Sequence, residues 1–318
     1  MTELSNTLTS KERPRIILDC DPGVDDAMAI ITASRWADLV GITSVAGNVR
    51  LEHTTANACR IRDLLGLDVE VHSGAERPLT GVQEFATEVH GETGLGNLVL
   101  PEPTRGADSK DAVSWLVETT KNEEGLHLVP IGPLTNIALA LRADPSMASR
   151  VASITLMGGA ALGVGNVTAA AEFNVYADPE AADEVFRSGA PLTMLGLNLT
   201  HQVRMGSVHG QECATYGTPV GDAMAELLEF YAVFHLVEEE TEDGPVHDPC
   251  AVLAVTHPHL FRFNARPVHV EVEATHTRGM TVVDERGPRA EGPLNCNVAY
   301  GAESETLVDL VMQAVREA

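Results

Sequence analysis

The sequence predicts an α/β fold in which an open, mostly parallel sheet carries helices on both faces. From Arg15 onward, short β-branched runs alternate with amphipathic stretches, a rhythm typical of parallel sheets. The 318 residues are 44% hydrophobic and 21% charged, so the chain can bury a large core. No linker rich in Pro, Gly and Ser and no internal repeat divides it. We therefore predict one domain over residues 15–318, preceded by a disordered tail over residues 1–14.

Each element follows from its local pattern. A run of β-branched and aliphatic residues predicts a strand, and apolar residues that recur about every 3.6 positions predict a helix. The predicted strands are 15–20, 39–46, 69–72, 126–131, 153–157 and 192–197, followed by an antiparallel pair at 266–273 and 280–284. The predicted helices are 25–34, 53–65, 110–120, 135–142, 179–187 and 220–238, one that begins at Pro249, and 303–316. In such a sheet, binding sites gather at the carboxyl ends of the strands.

The charge and the cysteines exclude several classes of protein. The chain has 21 Lys and Arg against 46 Asp and Glu, a net charge of −25, which excludes nucleic acid as the main partner. No uncharged apolar run reaches about 18 residues, and the N-terminus lacks the pattern of a signal peptide, so we predict a cytoplasmic protein with no membrane partner. The five cysteines are scattered without a Cys-x-x-Cys pair, which predicts buried thiols rather than disulfides or a zinc site.

One long segment interrupts the short connections. Residues 77–103 are glycine-rich, with HGETGLGN at their centre. Loops of this length in compact domains are usually functional or simply mobile. We predict that this segment is a lid.

Four carboxylates crowd the turn between the first predicted strand and the first predicted helix. They are Asp19, Asp21, Asp25 and Asp26. Capping of the helix N-terminus explains one or two of them. Burying the others beside a strand without a cation would cost several kcal/mol. The crowding therefore predicts a metal site, and ligands that are all oxygen indicate Ca²⁺ or Mg²⁺.

The segment ILDCDPGVDDAMAI resembles the N-terminal signature of the inosine-uridine-preferring nucleoside hydrolases. Matching segments follow in order: SVAGN, HGETGLG, VPIGPLTNIA, LMGGA, GN with AEFNVYADPEAA, and GPVHDP. The resemblance extends from Arg15 to about His257. It implies a Rossmann-like fold and Ca²⁺-dependent hydrolysis of the N-glycosidic bond of ribonucleosides, which yields ribose and free base for nucleoside salvage. It also implies a homo-oligomer, either a tetramer or a dimer.

The resemblance assigns the metal ligands and the catalytic base. The carboxylates of Asp21, Asp26 and Asp248 and the backbone carbonyl of Ile131 would hold Ca²⁺. Asp25 would take the proton of the attacking water. The Gly-Pro pair after Ile131 frees its carbonyl from the sheet. Asp248 has an equal alternative from local sequence alone, because an Asp before Pro249 is also a common N-cap.

A second group of residues falls on the ribose-binding positions of the family. Glu172 and Asn174 are two apart in a segment that we predict to be extended, so they would face the same side. Amides and carboxylates together suit the hydroxyl groups of a sugar. The resemblance adds Asn48 and Asn166 to this group. Met157, directly after its strand, would either pack against the sugar or fill the core.

Three histidines are candidates for contact with the base. The family uses a His at the position of His247 to protonate or hydrogen-bond the departing base. His90 lies in the predicted lid. His235 shares a helix face with Tyr231 and Phe234 and falls where relatives carry a polar side chain that contacts the base, whereas Phe234 is better explained by packing.

The chain departs from the family pattern at two places. The acidic run at 238–243 stands where many relatives have an aromatic residue and glycines, so it puts base stacking from this segment in doubt and is also explained as a solvated flank. Asn198 replaces an expected Asp, and the sequence attaches no consequence to that change.

Two other functions compete with ribonucleoside hydrolysis. A haloacid-dehalogenase-type phosphatase also begins with Asp-x-Asp after a strand, but no phosphate-neutralising lysine is evident. A non-catalytic, calcium-dependent nucleoside-binding protein would share the metal site. Retention of both Asp25 and His247 argues against that second alternative.

Overall fold

The computed structural model describes residues 13–318, and its centre is a mostly parallel sheet. The strands are β1 (Arg15–Cys20), β2 (Asp38–Ser44), β3 (Glu70–Ser73), β4 (Leu126–Pro130), β5 (Ser153–Met157), β6 (Leu192–Leu195), β7 (Arg204–Gly206), β8 (Asp243–Pro245), β9 (Phe261–Arg266), β10 (Val268–Val270), β11 (Thr281–Val283) and β12 (Cys296–Ala302). Eight of them form the sheet, in the order β3-β2-β1-β4-β5-β6-β12-β9. Each neighbouring pair is parallel except β12 and β9. The predicted fold class is confirmed. Residues 1–12 of the predicted tail lie outside the described residues.

Helices cover both faces of this sheet. They are α1 (Val24–Trp36), α2 (Leu51–Leu64), α3 (Thr87–His90), α4 (Ala112–Asn122), α5 (Thr135–Ala143), α6 (Met147–Arg150), α7 (Phe173–Ala177), α8 (Pro179–Arg187), α9 (Leu197–Thr200), α10 (Ser207–Cys213), α11 (Pro219–Glu239), α12 (Asp248–Thr256) and α13 (Ser304–Arg316), with 3-10 turns at Pro258–Leu260 and Gly287–Arg289. Within residues 13–318, no helix combines the length and the apolar character needed to cross a membrane.

The side chains of β1 show why the sheet needs helices on both faces. Ile16 and Leu18 belong to one apolar core, whereas Ile17 belongs to the other. Successive side chains of a strand point to opposite faces, so a strand with apolar side chains on both faces must be covered on both sides. The first core includes residues of α1, α12 and α13, and the second includes residues of α5 and α8.

The order of the strands determines where in the sheet a binding crevice forms. The order runs outward from β1 to β3 on one side and from β4 to β6 on the other. The connections after β1 and after β4 therefore diverge, which leaves a crevice between the carboxyl ends of these two strands. The acidic turn follows β1 and Ile131 follows β4. The topology thus brings together residues that are more than a hundred positions apart.

Some elements differ from the predictions. The predicted pair at 266–273 and 280–284 forms an antiparallel pair, but each strand has only three residues and lies outside the main sheet. The strands β9 and β12, which complete the main sheet, were not predicted. Their side chains alternate less clearly because the edge strand β9 is largely exposed. All five cysteines are free and buried, as predicted.

Candidate active site

The turn between β1 and α1 gathers three of the predicted site carboxylates. Asp21 directly follows β1, and Asp25 and Asp26 lie in the first turn of α1. The backbone amides of Asp21 and Gly23 donate to the two oxygens of Asp26, at 3.0 and 2.9 Å. The three side chains are at most 5% exposed. One helix N-terminus favours negative charge, but it does not offset three buried carboxylates.

A fourth carboxylate joins them from α12. The ligand oxygens of Asp25, Asp26 and Asp248 all lie within 4.8 Å of one another. The helix begins at Asp248, and His247 occupies the N-cap position. The structure therefore contradicts the alternative interpretation of Asp248 as the N-cap. Instead, its carboxylate faces the acidic turn.

Burial is the main cause that raises the pKa values of all four carboxylates. Burial, reinforced by the charge of Asp26, raises the pKa of Asp25 to about 8. Burial raises the pKa of Asp26 to about 6 and raises the pKa values of Asp21 and Asp248 well above their usual range. Among the described residues, Oδ1 of Asp21 is buried without a hydrogen-bond partner. Buried carboxylates with an unused oxygen fit a hard divalent cation.

The end of β4 supplies the predicted carbonyl. The backbone amide of Ile131 donates to the carbonyl of Asp19 at 2.8 Å, which continues the pairing with β1. A β-carbon at Gly132 would overlap the Asp21 carboxylate, so the chain after Ile131 approaches the acidic turn as closely as glycine permits. The Ile131 carbonyl accepts from Nδ2 of Asn174 at 2.8 Å. Its second lone pair remains for a further partner.

Asn48, predicted to contact ribose, lies against the acidic turn. Its backbone amide donates to Oδ2 of Asp21 at 2.7 Å. Its side-chain Nδ2 donates to Oδ2 of Asp26 at 3.0 Å. In this structure Asn48 therefore holds two of the predicted metal ligands in place.

Two predicted ribose contacts meet beside Ile131. Nδ2 of Asn174 lies 3.2 Å from the carbonyl oxygen and 3.6 Å from the sulfur of Met157. Both side chains are buried. Met157 therefore packs beside Asn174, a predicted ribose contact. This position is compatible both with packing against the sugar and with filling the core.

The prediction that Glu172 and Asn174 lie in an extended segment is wrong. Glu172 is the N-cap of α7, and its carboxylate accepts from the backbone amides of Asn174 and Val175 at 2.8 and 3.2 Å. These bonds stabilise a helical turn in place of a strand. The carboxylate also accepts from the amide of Gly159 at 2.8 Å. Burial raises the pKa of Glu172 to about 7.

Asn166 is placed less deeply than the other candidates. It is exposed, and its Oδ1 accepts from the backbone amides of Val167 and Phe173 at 2.8 and 3.0 Å. Its oxygen therefore ties the loop over residues 158–171, which precedes α7, to the start of that helix. The structure does not bring its side chain into the buried group around Asp21.

His247 makes contacts through both its backbone amide and its imidazole ring. Its backbone amide donates to the Asp25 carboxylate, and its Nδ1 lies 2.8 Å from Oγ1 of Thr200. Burial lowers the pKa of His247 well below its usual range, and the nearby imidazoles of His201, His235 and His90 lower it further. The ring is therefore neutral at pH 7, which suits a hydrogen-bond donor.

His90 brings the predicted lid against the acidic turn. Its Nδ1 accepts from the backbone amide of Val24 at 3.1 Å, so the proton of the neutral ring is on Nε2. Burial lowers the pKa of His90 to about 4. The same segment is held by Asn57, whose Nδ2 donates to the carbonyl of Thr93 at 2.7 Å. His90 and Thr93 thus place the middle of the segment 77–103 against the acidic turn and α2, and its role as a lid stays a prediction.

His235 lies on α11 as its spacing predicts. The ring centroids of His235 and Tyr231 are 4.4 Å apart in an edge-to-face arrangement, and those of His235 and Phe234 are 5.1 Å apart. A β-carbon at Gly244 would overlap the His235 ring. His235 is buried at 4% exposure and lies close enough to influence the pKa of His247.

The sequence analysis did not identify the residues that donate hydrogen bonds to the buried carboxylate of Asp19. Asp19 does not join the group at the turn. Its Oδ1 accepts from Oγ1 of Thr43 at 2.5 Å and from Nδ2 of Asn136 at 2.7 Å, and burial raises its pKa to about 7. Asn136 lies inside the VPIGPLTNIA segment, but nothing local separates it from ordinary core positions. Only the assembled sheet shows its partner.

The two departures from the family pattern have physical explanations. Oδ1 of Asn198 accepts from the amide of Ala161 at 3.0 Å, and its Nδ2 donates to the carbonyl of Ala299 at 2.8 Å. An ionised Asp could accept but not donate, so this position suits an amide. In the acidic run, Glu238 and residues 240–243 are exposed, as expected for a solvated flank.

Comparisons with known proteins agree with this geometry. A family model described as inosine-uridine preferring nucleoside hydrolase matches residues 16–309. The chain is 43% identical over 303 residues to a pyrimidine-specific ribonucleoside hydrolase RihA of Photobacterium profundum, which covers 94% of this chain and 97% of that protein. A RihA of Escherichia coli O1:K1 is 42% identical over 306 residues, which covers 95% and 98% of the two chains.

Solved structures lead to the same family. A purine-preferring ribonucleoside hydrolase from Gardnerella vaginalis superposes with a TM-score of 0.89 at 34% identity and covers 95% of this chain and 98% of its own. The plant nucleoside hydrolase PpNRh1 superposes with a TM-score of 0.91 at 30% identity and covers 96% and 100%. Both similarities span almost the entire fold described above.

Proposed function

The chain belongs to the inosine-uridine-preferring nucleoside hydrolases and is a ribonucleoside hydrolase, and from this premise we propose that it requires Ca²⁺. The observation that carries the proposal is the group of four buried carboxylates whose pKa values are all raised. Asp21, Asp26, Asp248 and the carbonyl of Ile131 would hold the ion. When bound, it would hold the ribose hydroxyls and lower the pKa of the attacking water.

Asp25 would act as the general base. It lies beside the proposed ligands, and its carboxylate accepts from the backbone amide of His247. That contact orients the carboxylate without neutralising it. A bound cation would lower the raised pKa of Asp25, and the ionised carboxylate would then accept a proton from water as the water attacks C1′.

His247 would assist the departing base. Breaking the N-glycosidic bond through an oxocarbenium-like transition state moves negative charge onto the base. A neutral imidazole close to Asp25 can donate a hydrogen bond to that charge. His90 and His235 lie near His247, and we assign them to the pocket for the base.

Ribose would lie between the acidic turn and α7. Asn174 and Met157 flank Ile131, and Asn48 contacts the proposed ligands Asp21 and Asp26. Oε2 of Glu172 already accepts from two backbone amides, whereas Oε1 accepts from that of Asn174 and can accept a further hydrogen bond. Asn166 lies outside this group, and its contact with ribose stays a prediction. We also propose a homo-oligomer in the cytoplasm, to be tested by the mass in solution and by fractionation.

Chelation is the direct test of the metal. We expect exhaustive removal of divalent ions to reduce turnover of uridine by at least about 100-fold, since both substrate binding and activation of water depend on the ion. Elemental analysis of active protein should find Ca²⁺, and adding Ca²⁺ back should restore the rate. An unchanged rate in protein shown to be metal-free would contradict the proposal, and restoration by Mg²⁺ alone would correct the identity of the ion.

We propose that the base preference is that of the two RihA relatives, which are named as pyrimidine-specific. We expect kcat/KM for uridine and cytidine to exceed that for inosine by about tenfold or more, a difference of ~1.4 kcal/mol. The measurement is a panel of purine and pyrimidine ribonucleosides under identical conditions. Equal values, or a preference for inosine, would show that this chain follows its purine-preferring structural relative instead.

The ribose assignment predicts discrimination against 2′-deoxynucleosides. Loss of the 2′-hydroxyl leaves buried partners unsatisfied, and each costs about 1–3 kcal/mol. We expect kcat/KM for deoxyuridine to be about 5- to 150-fold below that for uridine. Equal values would remove the ribose assignment of Glu172 and Asn174.

A further inference from the structure

Thr200 contacts the histidine that faces the departing base, although nothing in its sequence neighbourhood marks it as functional. It ends the single turn α9, directly after β6. Its side chain is completely buried. Its Oγ1 lies 2.8 Å from Nδ1 of His247, which is 47 positions away in the chain.

This contact completes a two-point attachment of His247. The backbone amide donates to Asp25, which fixes the start of the side chain. The hydroxyl of Thr200 contacts the ring at Nδ1, next to its attachment to the side chain, and this leaves Nε2 on the far side as the nitrogen that can meet a substrate. The edge of His201 packs against the same ring, with centroids 5.7 Å apart. Rotation of the imidazole would therefore break this partly buried hydrogen bond.

The direction of this hydrogen bond decides the tautomer of His247, because the Thr200 hydroxyl can either donate to Nδ1 or accept from it. A neutral imidazole has one donor nitrogen and one acceptor nitrogen, and the partner of one nitrogen decides the state of the other. When the Thr200 hydroxyl donates to Nδ1, the proton must be on Nε2. Only that tautomer lets a neutral His247 donate to the base.

We propose that Thr200 is a positioning residue of this hydrolase, which fixes the His247 ring and keeps its proton on Nε2 toward the departing base. The inference rests on the proposed role of His247. Thr200 itself touches neither the base nor the proposed metal ligands. Its effect should therefore depend on how much help the leaving group needs.

The test compares Thr200→Val, which keeps the shape and removes the hydroxyl, with Thr200→Ser, which keeps the hydroxyl. In the Ca²⁺-loaded enzyme we expect Thr200→Val to lower kcat for uridine by about 10- to 100-fold, the range typical of partners that orient a functional group. The rate with 4-nitrophenyl riboside should stay within about threefold, and Thr200→Ser should recover most of the uridine rate. Thr120→Val removes another buried hydroxyl, which donates to Leu116 in α4, and serves as the matched control.

Combining the substitution with His247→Ala separates this inference from the proposed function. If Thr200 acts through His247, then Thr200→Val should have no further effect on uridine turnover in the His247→Ala background. Equal losses on both substrates, or the same loss in both backgrounds, would overturn the inference while the role of His247 stands. If His247→Ala itself spares uridine, the proposed role of His247 fails first and the inference fails with it.

A second measurement does not depend on turnover. In protein labelled with ¹⁵N-histidine, the ring nitrogens of His247, identified by their loss in His247→Ala, should report a proton on Nε2. In Thr200→Val we expect that signature to change to a mixture of tautomers. An unchanged Nε2–H signature in Thr200→Val would contradict the selection of the tautomer.

Discussion

We expect Asp25→Asn to lower kcat by at least about 100-fold, because removal of a positioned general base typically costs 10²–10⁴-fold. The amide keeps the shape of the side chain and can still accept from the backbone amide of His247. It cannot take a proton from water. Since the substitution also removes one of four repelling buried carboxylates, the melting temperature should not fall.

Calcium affinity distinguishes the two roles that the geometry permits for Asp25. Its oxygen lies within 4.8 Å of those of Asp26 and Asp248, so it is close enough to be a ligand itself. A general base predicts that calorimetry finds nearly the same Kd for Ca²⁺ in Asp25→Asn as in the unaltered enzyme, with kcat low at saturating Ca²⁺. A parallel loss of affinity and activity, with the rate recovered at high Ca²⁺, would make Asp25 a ligand. Full activity would direct the search for the base to Asp19 and Asp26.

The site was predictable where its residues are local in sequence. The turn from β1 into α1 places Asp21, Asp25 and Asp26 within six positions, and its Pro-Gly pair and helix start are visible in the sequence. Asp248 was ambiguous because an Asp before a Pro suits both a helix N-terminus and a metal. The packing of α12 against α1, a long-range contact, directs its carboxylate to the turn.

The parts that sequence reasoning missed depend on contacts between distant segments. Asn136 reaches Asp19 across 117 positions, and Thr200 reaches His247 across 47. Each is a buried polar residue whose partner appears only after the sheet forms. Glu172 was identified as a candidate from the sequence, but its secondary structure was predicted wrongly. The helix that follows it, α7, is too short to show a helical periodicity in the sequence. Three hydrogen bonds from backbone amides to the Glu172 carboxylate determine the local conformation.

We expect His247→Ala to slow hydrolysis of uridine and inosine by roughly 10²–10⁴-fold and to spare 4-nitrophenyl riboside. A nucleobase leaves with its negative charge poorly stabilised, whereas nitrophenolate is an intrinsically good leaving group and needs little protonation. The backbone amide of His247 contacts the proposed general base Asp25, and its Nδ1 contacts Thr200, which leaves Nε2 for the proposed contact with the departing base. Rates should be measured for all three substrates.

The rival explanation is that His247 merely orients its neighbour Asp248 and so supports the metal. That explanation predicts equal losses for the three substrates, because every substrate would need the ion. Measuring at saturating Ca²⁺ removes any contribution from weakened metal binding. If the losses are still equal, another group must assist departure, and the neutral ring of His90, with its proton on Nε2, would be the first to substitute. If only the nucleosides slow down, stabilisation of the leaving group is the function of His247, since neither a metal defect nor a folding defect distinguishes a nucleobase from nitrophenolate.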